Sequence, residues 1–580
     1  MTVIKTLRRT ALCLSPLLFV AAHANAQAIE RHLPETPQGR TVPLAAPNAV
    51  PDAQDATPIG PALRAIVLLG PNDAVYSTAS AGVTVGAVDR LRPTDADGKR
   101  SGADIAARLK PFLGQALSRK LIAEIEAAIA RDYRDMNYPF VSLSTPEQEI
   151  DAGVLQVRVI EFHAGDVSVA GTRSPAEATA LRARVGLASG QAINARELTT
   201  DLDQINRYPF RQVQAAFTPG DALGVTNLRL AAEEGQPWQV YGGYSNDGSP
   251  STSFDRYFVG GAIGNLLGAD SVLSGQATSS RDALNGKKDP HYRSLALNYS
   301  LPVGRRGGIE ASADLVETYQ TAEPFTVRLK AAEGSLGYRM ALSDLYGDRG
   351  ATDVRFGVEA RHQTGSTYFS GLDVYDVSMD VYQAYAGLHH ASGDGAGAAN
   401  WDLALHMSPG GIGRGNSAQQ LYLYSQGRVA GATYSYLTAD YQRLTALPGG
   451  LDLNTQAIGQ FTPIALPRTE QAGMGGDYLV RGYTLDDGSA DTALILRNEL
   501  HWQGMSWGQA SADPYLFADL GHGRDNLLHS NVDLASAGLG GNVRLLSHVA
   551  LKLDAAVALA PDHKVRAGDV MAHTRLQLAF

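Results

Sequence analysis

Apolar and polar positions change their period part-way along the chain. From about Trp238 to the last residue they alternate in twos, as in strands with one apolar and one polar face. In RSLALNYSLP, Leu295, Leu297, Tyr299 and Leu301 share one face and Ser294, Ala296, Asn298 and Ser300 the other. DVRFGVEARH sets Val354, Phe356, Val358 and Ala360 against Arg355, Gly357, Glu359 and Arg361, and HVALKLDAAVAL sets Val549, Leu551, Leu553 and Val557 against Lys552 and Asp554. A soluble sandwich turns such faces into a core and seldom keeps the pattern over so long a stretch. A transmembrane barrel keeps it throughout, with apolar residues toward lipid and charged ones toward a polar lumen. At about 20 residues per strand and connection, the segment predicts roughly 16 antiparallel strands.

Ahead of that point the texture is α+β. SRKLIAEIEAAIARDYRDMNYPF places Leu121, Ile125, Ala128, Ile129 and Tyr133 on one helical stripe, and in VLQVRVIEF Leu155, Val157 and Val159 alternate with Gln156 and Arg158. A second unit repeats the scheme: the strand VSVAG, helices in PAEATALRARVG and ARELTTDLDQINRY, then the strands QVQAAF and VTNLRLAAE. The fold class expected is mainly β, a C-terminal transmembrane antiparallel barrel preceded by two small α+β domains. The divisions are 64–161 and 162–235 for the two units and 236–580 for the barrel. Residues 27–63, with QGRTVPLAAPNAVPDAQDATPIGP, bury too little apolar area to offset ordering entropy and are expected to be a linker. A helix around Ile29 to Leu33 is too short to stand alone.

The ends of the chain sharpen this picture. Lys5, Arg8 and Arg9, the apolar run from Ala11 to Ala22 and the small-x-small Ala24-Asn25-Ala26 read as a signal peptide over 1–26. Cys13, the single cysteine, falls inside it, so an exported chain carries no disulfide. At the other end HTRLQLAF puts Phe580, Leu578, Leu576 and Thr574 on one face and Ala579, Gln577 and Arg575 on the other. A terminal strand left unpaired in lipid is untenable, so this one is expected to close the barrel onto the first strand. Its terminal aromatic resembles the signal by which outer-membrane proteins are recognised for assembly, carried by Phe580, Leu578 and Leu576. With 49 Lys and Arg against 59 Asp and Glu and no long basic run, nucleic acid is not an expected partner. Past the signal no run of eighteen apolar residues occurs, which excludes a helical inner-membrane protein.

Several segments, in this order, resemble the two-partner-secretion transporters, the TpsB family, also described as haemolysin secretion/activation proteins of the ShlB/FhaC/HecB type. These belong with BamA to the superfamily of barrels carrying POTRA domains. PEQEIDAGVLQVRVIE looks like the end of a first POTRA domain, and INRYPFRQVQAAFTPGDALGVTNLRL is similar to the second. YGGYSNDG, NLLGADSV and LNYSLPVG look like the first barrel strands and turns, and LPGGLDLNTQAIGQ like the approach to the family's hallmark loop. That loop is GGDYLVRGYTLDDG, with Val480, Arg481, Gly482 and Tyr483, followed by LRNEL and then by FADLG, with Phe517, Asp519 and Gly521. The resemblance implies that the loop folds back into the barrel and that Arg481 pairs with Asp519 on a lumen-facing strand. Family members often carry a plug helix at the amino end, where this linker shows no strong helical stripe.

The implied function is passage of an unfolded partner exoprotein from the periplasm to the cell surface. The POTRA domains would bind it in the periplasm by strand addition. Outer-membrane lipid and the barrel-assembly machinery are the other expected partners. Arg355, Glu359, Arg361, Lys552 and Asp554 are expected to line a wet lumen, and the Arg481–Asp519 pair, partly wet as well, to be worth only about 0–1 kcal/mol. No catalytic residue, metal or cofactor is expected. Adjacent His389 and His390 point to opposite faces of a strand, and the chain has neither a Gly-x-Ser-x-Gly elbow nor a His-Glu-x-x-His motif to suggest an outer-membrane hydrolase. The alternative in another class is a factor that inserts barrels into the membrane; two POTRA-like units favour secretion, and a neighbouring gene for a large exported β-rich protein would discriminate.

Overall fold

Sixteen antiparallel strands between Trp238 and Ala579 close into one barrel. The computed structural model describes residues 33–34, 54–91, 102–322, 325–342, 350–425, 427–502, 504–546, 548–562 and 565–580. The segment read as a signal peptide, most of the linker and, but for Leu33, the short amino-terminal helix lie outside the described residues.

The barrel is inside out relative to a soluble protein. Val259, Leu315, Phe356, Val358 and Leu539 stand exposed on its exterior, while Arg256, Gln276, Asp314, Asp519 and Asp554 are buried within. Period-two alternation sends each strand's polar set inward and leaves an apolar band for lipid. Closure is made by the last strand, Val570–Ala579, which pairs antiparallel with the first, Trp238–Ser245, from Tyr241 opposite Ala579 to Ser245 opposite Arg575. The edge is finished by Phe580, whose N–H donates to Val240 O while Val240 N–H donates to Phe580 O. Leu576, Leu578 and Phe580 all face outward. One hairpin, Gly350–Phe369 with Leu372–Asp394, has strands of 20 and 23 residues, about twice the roughly 9–11 needed to cross a bilayer, so it stands well clear of the membrane on the side away from the α+β units.

The first α+β unit packs Leu121, Ile125, Ile129 and Tyr133 of the helix Arg119–Asp135 onto Leu155, Val157 and Val159 of the strand Val154–Glu161. Ser118 starts that helix by accepting from Leu121 N–H at 3.1 Å. Its sheet runs in the order Gly82–Val85, Ala65–Leu69, Val154–Glu161, Val141–Ser144. The expectation of a linker up to residue 63 is corrected at its end: Pro58–Ala62 is a strand paired with Ala116–Ser118, and Leu63 is in the core. Two prolines there suit an edge strand, which needs few ladder N–H groups, and that composition is what disguised it. In the second unit Ser174 and Asn194 cap the helices Pro175–Ala183 and Ala195–Asn206, which lie on a sheet ordered His163–Ala170, Val225–Glu234, Arg211–Pro219.

The second unit is bolted to the near rim of the barrel by ion pairs. Arg211 grips Asp270, in the turn after the second barrel strand, through both terminal nitrogens at 2.8 and 2.6 Å, and Arg184 reaches the same carboxylate at 2.5 Å. Arg207 pairs with Asp353 at 2.5 Å, and Asp201 receives Arg305 and Arg306 from the next turn at 3.1 and 3.2 Å. Geometry of this kind holds orientation more than it adds stability.

Deleting Phe580 removes two seam hydrogen bonds and an outward aromatic, and is expected to lower the folded fraction of the barrel; heat-modifiable gel mobility reads it.

Candidate functional site

The connection between the strands Leu451–Phe461 and Thr492–Trp502 enters the barrel from the far rim and turns inside the lumen. It is a narrow finger: Ala472–Gly473 pairs with Ser489–Ala490, and Gly475 bridges to Val480. Thr484 N–H donates to Asp487 Oδ2 at 2.7 Å to make its return turn. At its tip Gly482 has φ +86°, a left-handed conformation that a side chain resists, and a Cβ there would come within 3.3 Å of Ala556 Cβ.

Arg481 at this tip is completely buried, as is Asp519 on the facing strand Ala510–Arg524. Its Nε and Nη2 donate to Asp519 Oδ2 and Oδ1 at 2.7 and 2.8 Å, a bidentate pair, and its backbone N–H reaches Oδ2 at 3.2 Å. Nη1 donates to Glu499 Oε1 at 2.7 Å, and Asp554 lies 3.9 Å away. The guanidinium lies 3.6 Å over the ring of Phe517. Thus the period-two set of one strand supplies an aromatic floor, a carboxylate and then a gap: a Cβ on Gly521 would sit 2.8 Å from Val480 Cγ2. Phe517 itself fits because Gly538 opposite it lacks a side chain.

The other tip residues extend the seat. Tyr483 is buried and its hydroxyl donates to Ala560 O at 2.6 Å, with Ala535 O 2.9 Å away, tying the tip to the strand Asn531–Leu545 and to the connection that follows Val549–Ala558. Lys552 clamps Asp477 at 2.9 Å and Asp554 at 3.2 Å, and Arg497 donates to the carbonyls of Asp477 and Tyr478. At the base of the finger Arg361 pairs with Glu470, which also accepts from Tyr436 at 2.9 Å.

The structure therefore brings Val480, Arg481, Gly482 and Tyr483 together with Phe517, Asp519 and Gly521, while Leu576, Leu578 and Phe580 lie apart on the exterior seam. Two expectations need correction. The Arg481–Asp519 pair is not partly wet, so the cost of losing one partner is that of orphaning a buried charge, about 3–5 kcal/mol, and not about 0–1. Arg361, Lys552 and Asp554 do not simply line open water, since the inward finger uses them as anchors. His389 and His390 go to separate partners, Asp402 at 3.0 Å and Thr352 at 2.9 Å.

Glu499, inside LRNEL, and Arg428 were not singled out by the sequence. Glu499 lies two positions from Arg497 on the same lumen face, a signal that period-two reading could have used. Arg428 sits in an irregular stretch with no periodicity to mark it, yet it ties three far-rim connections together: Nη2 to Asp491 at 2.7 Å, Nη1 to Asp525 at 2.6 Å and Nε to Leu466 O at 2.9 Å.

A closed outer-membrane barrel fronted by two α+β units, with an arginine-tipped loop seated against its inner wall, defines a POTRA-type outer-membrane transporter. Residues 224–543 match the haemolysin secretion/activation protein family ShlB/FhaC/HecB, and residues 96–161 match the ShlB-type POTRA domain. The chain belongs to that family, the outer-membrane transporters of two-partner secretion. It is 24% identical over 406 residues to the outer membrane transporter CdiB of Dickeya dadantii, covering 69% of each chain. To the hemolysin transporter protein HpmB of Proteus mirabilis it is 23% identical, over 54% of this chain and 55% of that one. The fold resembles the solved CdiB of Escherichia coli, with a TM-score of 0.71 over 91% of this chain and 92% of that one at 19% identity. CdiB of Acinetobacter baumannii superposes at 0.63 over 94% of both, at 16% identity.

Arg481→Ala and Asp519→Ala should each leave the barrel folded, lower its thermal midpoint and alter single-channel conductance. A double mutant is expected to lie close to either single one, and Arg481→Lys to rescue little, because an ammonium cannot reproduce two parallel hydrogen bonds. A double-mutant cycle on the melting midpoint checks this, strictly additive losses being the contrary result.

Proposed function

We propose that this chain receives an unfolded exoprotein in the periplasm on its two POTRA units and conducts it through the barrel beside a loop that stays docked on Asp519. The observation that carries the reading is the buried Arg481–Asp519–Glu499 constellation inside a closed barrel whose near rim is fastened to the second unit. A conduit for a polypeptide needs a fixed inner wall and an entrance held in register with it, and those two sets of ion pairs provide both.

Capture of the client follows from sheet edges. Among the described residues, Gly82–Val85 and Val141–Ser144 are the outer strands of the first unit's four-stranded sheet, each with a strand neighbour on one side only. An extended client adds there as a further strand, with backbone hydrogen bonds giving tolerance of sequence and alternate side-chain positions giving selectivity. The closing strand ending on Phe580 serves as the feature by which the barrel-assembly machinery takes up the chain, and the exterior apolar band holds it in outer-membrane lipid. Val480, Gly482 and Gly521 act as fitting surfaces for the loop, Tyr483 as its second anchor, and Phe517 as the platform for Arg481.

Removal of residues 58–161 is expected to leave a folded, inserted barrel and to abolish appearance of the exoprotein in the medium. Surface labelling of the barrel and immunodetection of the client are measured together; undiminished secretion from a fully inserted truncated barrel contradicts the capture role.

A further inference from the structure

Most outward-facing barrel positions are apolar, and one sector breaks that rule in an ordered way. Across four neighbouring strands the outward residues form rows fixed by register. Leu295 stands opposite Leu315, Leu315 opposite Ala332, and Ala332 opposite His362. One step further from the α+β units the row reads Arg293, Glu317, Lys330 and Thr364, and one step beyond that Tyr319, Arg328 and Ser366. Strand residues of like facing are about 6.6 Å apart, so three cations lie within some 15 Å above the top of the apolar band.

The cations are held in place. Glu317 accepts from Arg293 Nε at 2.5 Å and from Arg328 Nε at 2.7 Å, and Lys330 Nζ lies 3.7 Å from it. One carboxylate thus organises three cations, and Asp289 stands 3.4 Å from Arg328. The side chains of Arg293 and Lys330 remain half exposed, at 51% and 52%. Next to them an open groove of about 520 Å³ carries the hydroxyls of Thr364, Ser366 and Ser378, the amide of Gln420 and the carboxylates of Asp373 and Asp376. Along the strand direction the chemistry therefore runs apolar, then charged with three cations around Glu317, then a groove of hydroxyls, an amide and two carboxylates, the groups that bond sugar hydroxyls. Since the α+β units are periplasmic, this end of the strands is at the cell-surface leaflet.

We propose that this sector binds a phosphorylated glycolipid of the outer leaflet. Its acyl chains lie on Leu295, Leu315 and the exposed Leu336, which lies two outward positions beyond Ala332 toward the α+β units; a phosphate rests on the exposed outer faces of Arg293 and Lys330, above Glu317, and the sugar enters the groove beside Ser366 and Gln420. A guanidinium suits a phosphate by paired donors, an ammonium by compact charge, and the groove supplies the partners that sugar hydroxyls need. The order of these layers matches one molecule that is apolar at one end and anionic, then polyhydroxylated, at the other; a soluble phosphate has no use for the apolar row.

The test uses the full chain purified in a neutral detergent and binding measured by native mass spectrometry against diphosphoryl lipid A, the same lipid stripped of its phosphates, and inorganic phosphate. The expected result is a stoichiometric adduct with the diphosphorylated lipid, weakened at least about tenfold in Arg293→Gln/Arg328→Gln/Lys330→Gln. Arg443→Gln, an outward cation near the periplasmic rim, should bind as the parent does. Equal binding of the stripped lipid, unchanged binding by the triple variant, or inorganic phosphate binding as tightly as the lipid each overturns the proposal. Heat-modifiable mobility confirms that the variants are folded, and Lys330→Gln alone, at a half-exposed site, gives a smaller loss in the same direction if the triple variant does not fold.

Discussion

A positive charge withdrawn completely from water must be surrounded by its own counter-ions, and in this barrel that requirement fixes where the loop lies. Arg481 uses its donors on Asp519 and Glu499 and its flat face on Phe517. Nearby, Arg497 and Lys552 face the same carboxylates together with Asp477 and Asp554, so three cations and four anions share one patch of wall. Pulling Arg481 out would strip the buried Asp519 of its two close side-chain donors, while Glu499 would keep His501 and Arg497. At about 3–5 kcal/mol for breaking a buried pair, the loop would be undocked in fewer than about one molecule in a hundred.

The rest of the lumen is arranged around that seat. Strands facing the loop carry Gly521, Gly538 and Ala556 where a larger residue would collide with Val480, Phe517 or Gly482. Tyr483, Lys552 and Arg361 distribute the loop's anchors over several strands, and Arg428 ties the far-rim connections to the loop's shoulder at Asp491. At the opposite rim the ion pairs of Asp270, Asp353 and Asp201 hold the second POTRA unit in a set orientation. Entrance, inner wall and exit are thus each pinned by charge pairs, with apolar contacts beside them: Val480 and Met474 pack on Ile495 and Leu534 within the lumen, and Tyr208 and Phe210 on Ala262 and Val272 at the near rim.

Much of this was legible in the chain because barrel geometry has a short period. RSLALNYSLP and DVRFGVEARH reveal which residues face lipid, and FADLG reads as three same-face positions whose chemistry only a loop such as LVRGY completes. Burial was not legible. Period-two patterning assigns Asp519 to the lumen without saying whether water or a folded loop fills it, and that difference moves the pair from the weak to the costly class of ion pairs. Arg428, on an aperiodic connection, has partners distant in sequence, and the strand Pro58–Ala62 is written in residues that usually mark a linker. The lipid-side cations were equally hidden, since only register shows that Arg293, Lys330 and Arg328 fall in adjoining rows.

A loop docked this firmly would serve as a fixed wall of the conduit and not as a gate that leaves during export. The position of Val480 against Gly521 allows a direct measurement: Val480→Cys with Gly521→Cys, in a chain whose single native cysteine is Cys13, joins loop to wall by a disulfide. Secretion of the exoprotein is then followed under oxidising conditions and after reduction, with the cross-linked fraction measured in the same cells. With a fixed wall, secretion is expected to be equal in both states. Secretion that stops when the bond is formed and resumes when it is reduced would contradict it.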